Sequence, residues 1–269
     1  MSEPIPVVVC GAAGRMGRLL LALAREDAGL RVAGAVEAPG HAAVGRDAGE
    51  VAGGARLGVP VVTELGPICR AEQVVIDFTV PAATLAHARV ASERGAALVV
   101  GTTGLDAGED RELRTLAART RAVIAANFSA GVTVLAELVA QAARLLDPSF
   151  EAEIVELHHH GKKDAPSGTA LALGRAVAAA RGQDFTRAGV LQRAGLVGAR
   201  RPEEIGVVAL RGGDVVGDHT VVFAGLGERL ELVHRAQSRD CLARGALRAA
   251  RWVAARPPGV YSMRDVLGL

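Results

Sequence analysis

Residues 7–17 have the sequence VVVCGAAGRMG, in which an apolar run leads directly into a turn with three regularly spaced glycines. The apolar residues from Met16 to Ala24 then recur at helical spacing. A strand, a glycine-rich turn and a helix in this order bring backbone N–H groups and a positive helix end close to a pyrophosphate. The spacing is GxxGxxG rather than GxGxxG, so the context predicts dinucleotide binding more strongly than the motif does. The predicted binding turn comprises Gly11, Ala12, Ala13, Gly14, Arg15, Met16 and Gly17.

A second nucleotide contact is predicted at Glu37, which ends the next strand-like run 20 residues after Gly17. A carboxylate at this position accepts hydrogen bonds from the hydroxyls of the adenosine ribose. It also repels a 2′-phosphate, and residues 38–40, Ala-Pro-Gly, supply no cation to offset that repulsion. The sequence therefore predicts that NADH binds at least as well as NADPH. The alternative is that Glu37 is an ordinary surface residue.

Strand-like and helix-like segments alternate through the first half of the chain, beginning with the strand at 5–10 and including the apolar run VVIDFT at 74–79. This alternation predicts a parallel, doubly wound α/β sheet. Two further turns follow strands, GTTG at 101–104 and AANFS at 125–129. Because ligands bind beyond the carboxyl ends of parallel strands, we expect these turns to line the nicotinamide half of the site. Their predicted contacts are Gly101, Thr102, Thr103, Ala125, Ala126, Asn127 and Phe128.

The pattern changes after Asn127 and predicts a second, α+β domain. Helices are expected at 132–146 and after Ser167, and a strand at 150–160. Residues 183–203 are expected to be loop. Three more strand-like runs, at 206–210, 215–223 and 229–234, predict a mixed or antiparallel sheet, and a last helix is expected at 240–255.

Composition excludes several classes of protein. The chain has 269 residues, with 31 basic and 29 acidic side chains, so its net charge of +2 argues against nucleic-acid binding through bulk charge. The three cysteines form no CxxC pair, which argues against a disulfide framework or a cysteine-built zinc site and favours a reducing cytoplasm. The start, MSEPIPVVVC, lacks the basic region of a signal peptide, and the uncharged run at 122–136 is too short and too polar to span a bilayer.

The densest polar stretch is ELHHHGKKDAPSGTA at 156–170, which holds three of the seven histidines and the two lysines of the chain. Ser167 is predicted to cap a helix whose first amides, at Gly168 and Thr169, form a cradle for a carboxylate. Lys162 adds a cation, and His158 or His159 can relay a proton near neutral pH. These groups suit a small dianionic substrate that takes up a hydride and a proton.

Two alternatives compete with this catalytic interpretation of residues 156–170. The stretch could be a solvated run of charges. It could also bind a metal, but alternate side chains on a strand point to opposite faces, so only His158 and His160 could share an ion. No cysteine or acid lies at a supporting spacing. We therefore predict a site without metal.

Six motifs in this chain belong together: GAAGRMG, GTTG, AANFS, HHHGKKDAPSGTA, GDVVGDHTVVFAG and MRDVLGL. They resemble those of the 4-hydroxy-tetrahydrodipicolinate reductase (dihydrodipicolinate reductase) family of the diaminopimelate route to lysine, and the resemblance covers essentially the whole chain. It implies a Rossmann domain formed by residues 1–128 and rejoined by about 240–269. It also implies a substrate-binding α+β domain at 129–239 with an open mixed sheet, and a homotetramer.

The resemblance also implies residue roles. His158 acts in proton transfer and Lys162 donates a proton, while His159, Gly168 and Thr169 contact a small dicarboxylate substrate. Lys163 and His160 lie where the family varies and receive no role. Ala38 stands where many relatives carry an arginine for the NADP phosphate, and Arg239 is a further candidate for the pocket.

Two other functions remain open from the sequence. The same fold could bind NADH as a sensor and catalyse nothing, in which case the second polar site would be degraded, whereas residues 156–170 are intact. An aldehyde or hydroxy-acid dehydrogenase would need a catalytic cysteine or a different lysine context. Cys10, Cys69 and Cys241 lie in strand, loop and helix patterns that suit small apolar residues better.

Overall fold

The computed structural model describes residues 3–269 and divides them into two compact units. Unit 1 contains the residues up to Ser129 together with Asp240–Leu269, and unit 2 is Ala130–Arg239. Among the described residues, none of the helices combines the length and the hydropathy needed to cross a membrane.

Unit 1 is a seven-stranded sheet with helices on both faces. Its strands are β1 (Ile5–Cys10), β2 (Leu30–Val36), β3 (Val61–Val62), β4 (Val74–Asp77), β5 (Ala97–Val100), β6 (Arg121–Ile124) and β12 (Gly259–Tyr261). Its helices are α1 (Arg15–Glu26), α2 (Ala48–Val51), α3 (Pro81–Arg94), α4 (Ala107–Ala117), α8 (Asp240–Val253) and α9 (Met263–Leu267).

The strand order β12-β6-β5-β4-β1-β2-β3, with every pairing parallel, confirms the predicted doubly wound sheet. Successive side chains of β1 point to opposite faces of the sheet. Val7 and Val9 pack with α1 and α8 on one face, and Val8 packs with α3 and α4 on the other. Both faces are buried, which is why these strands are continuously apolar in sequence. The chain order reverses between β1 and β4, so the turns that follow these two strands border the crevice where such sheets bind ligands.

Unit 2 is a five-stranded sheet covered on one face by helices. Its strands are β7 (Glu151–His158), β8 (Gly189–Val190), β9 (Ile205–Arg211), β10 (Gly217–Ala224) and β11 (Arg229–Ala236), and its helices are α5 (Ala130–Leu145), α6 (Gly168–Ala180) and α7 (Phe185–Ala188). The order is β11-β10-β7-β9-β8. The β7–β9 and β8–β9 pairs are parallel and the others antiparallel, which confirms the prediction of a mixed sheet.

The two faces of this second sheet differ. Ile154, Val207 and Val221 are fully buried and pack with α5 and α6. Their neighbours in sequence face the other way: Val208 is 41% exposed and Leu210 47% exposed. The sheet therefore leaves one apolar face without cover inside its own unit.

Several short elements were not predicted. The 183–203 segment is not entirely loop, since it contains α7 and β8. Helix α4 begins at Ala107, where Asp106 and Glu109 form a capping box. Helix α2 and strand β3 are too short to show a hydrophobic period. The loop that joins them is set by Asp47, whose carboxylate accepts hydrogen bonds from five backbone N–H groups.

Candidate active site

The glycine-rich turn is built by backbone contacts that only glycine allows. Gly11 has φ +73°, and its N–H and that of Ala12 both donate to the carbonyl of Val36 at 2.9 and 3.0 Å. A Cβ at Gly17 would lie 2.0 Å from the Gly11 carbonyl oxygen. Helix α1 can therefore start close against the turn, with its first N–H groups directed towards the space above it.

Glu37 is fixed to this turn by two hydrogen bonds. Its Oε2 accepts from the Ala13 N–H at 2.8 Å and its Oε1 accepts from the Ala38 N–H at 2.9 Å. Each oxygen keeps a second lone pair, so the carboxylate can still accept hydrogen bonds from a ligand hydroxyl. The structure thus joins the two sequence-predicted nucleotide elements in one place.

A cavity of about 600 Å³ opens beside this turn. Four of the predicted contacts line it: Gly11, Ala13, Gly14 and Glu37. The predicted residues Ala12, Arg15, Met16 and Gly17 do not line it, and neither do the seven predicted in the two later turns. Sequence reasoning missed the other residues of the cavity wall, because part of the wall depends on β4 lying beside β1, which the sequence does not reveal. The missed lining is Val36, Ala38, Pro39, His41, Thr63, Phe78, Thr79, Val80, Ala83, Ala86 and His87.

Asp77, the last residue of β4, is a fully buried carboxylate below this cavity. Its Oδ1 accepts hydrogen bonds from the Thr79 N–H and hydroxyl and from the hydroxyls of Thr84 and Thr102, and its Oδ2 lies 2.6 Å from His87 Nδ1. Burial alone would raise the pKa of Asp77, but the hydrogen bonds from His87 and Thr79 outweigh it and lower the pKa. One ionised group therefore ties together β4, α3 and the turn after β5.

The two later turns lie at the ends of β5 and β6. The hydroxyl of Thr102 is committed to the Asp77 network, whereas Thr103 is exposed. Phe128 is fully buried, with its ring 5.4 Å from that of Phe78, so its side chain belongs to the core. Asn127 Oδ1 accepts from the Ser129 N–H at 2.8 Å. Gly101, Ala125 and Ala126 can offer a ligand little beyond their backbone groups.

One group of three potential metal ligands occurs in the described residues, and it lies below the cavity. Ligand atoms of Cys10, Asp77 and His87 are within 4.8 Å of one another. Burial and the charge of Asp77 raise the pKa of the Cys10 thiol well above its usual value. The Asp77 oxygens are already engaged by hydrogen bonds, so this geometry suits a polar network better than a cation. His158 and His160, the pair considered in the alternative metal interpretation, belong to no such group among residues 3–269.

In unit 2, the polar stretch surrounds the end of β7 and the start of α6. Glu156 and His158 lie on the same face of β7, two residues apart, and His158 Nδ1 is 2.5 Å from Glu156 Oε2. Arg211, the last residue of β9, donates to both oxygens of Glu156. Glu156, Arg211 and His219 were not predicted as site residues, although the GDHT stretch and the Glu-x-His spacing were visible in the sequence.

The lysine and the other histidines occupy the loop after β7. Lys162 Nζ lies 2.8 and 2.9 Å from the two oxygens of Asp164, and the lysine side chain is 20% exposed. His159 Nε2 is 3.4 Å from the Arg239 guanidinium, and desolvation and that cation lower the pKa of His159. His160 is exposed and its Nδ1 contacts the Gly213 carbonyl, while Lys163 is exposed.

Ser167 caps α6 as predicted. Its Oγ accepts from the Ala170 N–H at 3.1 Å and lies 3.1 Å from His219 Nε2. The Gly168 N–H has no partner among the residues that the structure describes, so it is available to an anion. His219 is 4% exposed, and burial, with a smaller contribution from His158, lowers its pKa to about 4. The neutral imidazole of His219 therefore contacts the serine hydroxyl that caps α6.

Comparisons with known proteins cover both units. The family model described as "Dihydrodipicolinate reductase, N-terminus" matches residues 5–128, and the model described as "Dihydrodipicolinate reductase, C-terminus" matches residues 131–267. A protein of Syntrophobacter fumaroxidans named 4-hydroxy-tetrahydrodipicolinate reductase is 50% identical over 98% of this chain and 99% of its own length. One of the same name from Anaeromyxobacter dehalogenans is 51% identical over 98% of this chain and 97% of its own.

Solved structures show the same fold. A dipicolinate-bound dihydrodipicolinate reductase from Paenisporosarcina sp. TG-14 superposes with a TM-score of 0.76 at 21% identity, covering 98% of this chain and 99% of that one. An amine dehydrogenase from Mycobacterium smegmatis has a TM-score of 0.62 at 16% identity, covering 97% and 95%. At these identities the similarity concerns the fold alone.

Proposed function

The chain belongs to the dihydrodipicolinate reductase family, and from that premise we propose that it reduces 4-hydroxy-tetrahydrodipicolinate to tetrahydrodipicolinate with NAD(P)H and loss of water. The observation that carries the proposal is the agreement between relatives about 50% identical over nearly their full length and an intact polar cluster at residues 156–170. The reaction belongs to the diaminopimelate route to lysine.

The residues of unit 1 fit a nicotinamide dinucleotide. The close approach of Gly17 to the Gly11 carbonyl leaves room for a pyrophosphate at the start of α1, and the cavity beside it is large enough for part of a nucleotide. The turn Gly11–Gly17 would hold the phosphates, Glu37 the ribose, and the turns at 101–103 and 125–128 the nicotinamide half. When bound, the cofactor supplies a hydride. Glu37 and Ala38 favour NADH at least as strongly as NADPH.

The substrate's carboxylate would bind at the start of α6. The unpartnered Gly168 N–H, the Thr169 backbone and the Ser167 cap form one anion seat at the positive end of a helix of 13 residues. His159, whose Nε2 lies 3.4 Å from the Arg239 guanidinium, would contact the second carboxylate. No metal is required by these residues.

The remaining chemistry is a proton transfer. Reduction at C4 of the dehydrated ring moves the electron pair of the conjugated imine to nitrogen, which gives an enamine. The ring carbon beside the imine carbon must then gain a proton. Lys162 donates that proton and His158 relays its replacement from solvent. Positioned acids of this kind contribute roughly 10²- to 10⁴-fold to a rate.

The experiment that tests this function follows NADH oxidation at fixed enzyme concentration. The condensation product of pyruvate and aspartate semialdehyde is supplied first, and pyruvate alone is the control. We expect turnover with the former only. NADH binding without turnover on either compound would instead favour a redox sensor, and turnover on pyruvate would favour a hydroxy-acid dehydrogenase.

We also propose that the enzyme is a cytoplasmic homotetramer that does not require a nucleic acid or a membrane. The support for assembly is the uncovered sheet face of unit 2. Val208 and Leu210 of β9 and Val233 of β11 are each more than 40% exposed, and β-register places them on the face opposite the core. A second copy of the sheet would bury these side chains.

A further inference from the structure

Glu156 is the most deeply buried acid of unit 2, with a side chain that is 0% exposed. Its carboxylate accepts four hydrogen bonds, two on each oxygen. Arg211 donates to Oε2 at 2.9 Å and to Oε1 at 3.0 Å. His158 Nδ1 lies 2.5 Å from Oε2, and the Ser167 N–H donates to Oε1 at 2.9 Å.

The carboxylate is ionised despite its burial. Desolvation would raise the pKa of Glu156, but the hydrogen bonds from Arg211, His158 and Ser167 together lower it. An ionised carboxylate can only accept hydrogen bonds, so the nitrogen of His158 that faces it must carry a hydrogen. In the neutral imidazole this leaves the lone pair on Nε2.

The Nε2 side of the ring is kept clear. His158 Nε2 has no hydrogen-bond partner among residues 3–269, and a Cβ built at Gly217 would lie 2.9 Å from it. Any larger residue at 217 would press on this nitrogen. The side chain of His158 is 12% exposed, so the ring retains an opening to solvent.

We propose that Glu156 is a positioning residue that fixes His158 with Nδ1–H turned inward and Nε2 left for proton exchange, while the same carboxylate anchors the Ser167 end of the substrate's anion seat. Arg211 keeps the carboxylate in place from the neighbouring strand. This inference rests on the proposed function, because it assigns the relay of that reaction. The Glu156 carboxylate would then orient the His158 ring and also hold Ser167, the residue that caps α6.

The first test measures the tautomer of His158 directly. In the intact protein labelled with ¹⁵N-histidine, the ring nitrogens of the neutral imidazole are assigned by NMR at alkaline pH, using the His158→Gln variant to identify the signal. We expect the hydrogen on Nδ1 in the native chain. A hydrogen on Nε2 would overturn the proposal, and this outcome does not depend on any enzymatic activity or on the folding of a Glu156 variant.

The second test is a double-mutant cycle in which NADH oxidation is measured with 4-hydroxy-tetrahydrodipicolinate as the substrate. Glu156→Gln should lower kcat roughly 10²-fold, because the amide no longer enforces one tautomer. In a His158→Gln background the same change should cost less than about threefold, since a positioning residue loses its effect when the group it positions is gone. An equal loss in both backgrounds, or native kcat in Glu156→Gln, would contradict the proposal.

Glu153→Gln is the matched control. Glu153 lies on the same strand and also accepts hydrogen bonds from arginine, in its case from Arg193 and Arg200, but it contacts neither His158 nor Ser167. We expect native kcat in this variant and an unchanged His158 tautomer. Absence of turnover in the native enzyme would count against the proposed function, whereas the NMR result would still decide whether Glu156 orients His158.

Discussion

At the scale of single residues, His219 shows how burial converts a histidine into a pH-dependent structural group. It is 4% exposed, its Nε2 contacts Ser167 Oγ, and its Nδ1 has no hydrogen-bond partner in the described part of the chain. Burial lowers its pKa to about 4, so the folded protein holds it neutral. In the unfolded chain the same imidazole takes up a proton at a pKa of about 6.5.

Linkage gives the sign of the resulting prediction. The unfolded state binds the proton first, so the contribution of His219 to stability is intact above about pH 6.5 and is lost as the pH falls to about 4. This shift corresponds to a full loss of roughly 3 kcal/mol. Urea unfolding from pH 7.5 to pH 4 should show this fall, and His219→Gln should flatten it. The control is His160→Gln, which replaces an exposed histidine and should leave the dependence of the unfolding free energy on pH unchanged. The same dependence in His219→Gln as in the native protein would contradict the account.

A second residue-scale prediction concerns the cofactor. Glu37 is fixed by the Ala13 and Ala38 N–H groups, and Ala38 supplies no cation for a 2′-phosphate. Ala38→Arg should therefore tighten NADPH binding about tenfold, equivalent to about 1.4 kcal/mol, and change NADH binding little. Calorimetric titration of both cofactors checks this. Native NADPH binding more than tenfold tighter than NADH would refute the role given to Glu37.

At the scale of elements, Asp77 joins the end of β4 to α3 and to the turn after β5 through Thr79, His87 and Thr102. Asp77→Asn replaces one carboxylate oxygen with an NH₂ group, which cannot accept the hydrogen bonds that the oxygen accepted. We expect the free energy of unfolding to fall by about 3 kcal/mol, because the NH₂ group would face buried donors that are left without an acceptor. Urea unfolding at neutral pH measures this loss. Asp106→Asn, an exposed cap that an amide can replace, is the control and should change stability by less than about 0.5 kcal/mol.

The elements that could be predicted are those whose residues follow a period or a turn rule. Helix α6 begins directly after Ser167 as predicted, because a serine side chain can cap the first N–H groups of a helix. Strand β12 and helix α9 were missed, since three and five residues are too few to show a pattern. The Asp77 and Glu156 networks were also missed. Each acid stands directly beside apolar residues in its strand, and its partners come from other parts of the chain that only the folded structure brings close.

At the scale of the whole molecule, the order of the strands was the part that sequence could not supply. The alternation of elements predicts a parallel sheet, but the position of β4 beside β1 depends on long-range packing. That position makes Phe78, Thr79 and Val80 part of the cavity wall. The candidate site residues of unit 2 could be proposed from the sequence, because they are neighbours in the chain between 158 and 169, and their roles remain predictions.

The uncovered face of the second sheet leads to a prediction about assembly. Val208 and Leu210 are exposed apolar residues on the face opposite the core. Replacing both with aspartate should shift the protein to smaller species in sedimentation velocity, because two charges would have to be desolvated in an interface. Glu203→Gln, which removes an exposed charge from a turn outside the five strands, should leave the sedimentation coefficient unchanged. A native protein that sediments as a monomer would contradict the proposed tetramer.

The most direct test of the central claim compares the two neighbouring lysines. Lys162, held by Asp164, is the proposed proton donor, whereas the adjacent Lys163 is exposed and has no assigned role. In assays of NADH oxidation with 4-hydroxy-tetrahydrodipicolinate, Lys162→Ala should lower kcat roughly 10²- to 10⁴-fold with NADH affinity unchanged, and Lys162→Arg should restore little, since guanidinium holds its proton too tightly. Lys163→Ala should retain native kcat. Native turnover in Lys162→Ala, or an equal loss in both alanine variants, would contradict the mechanism.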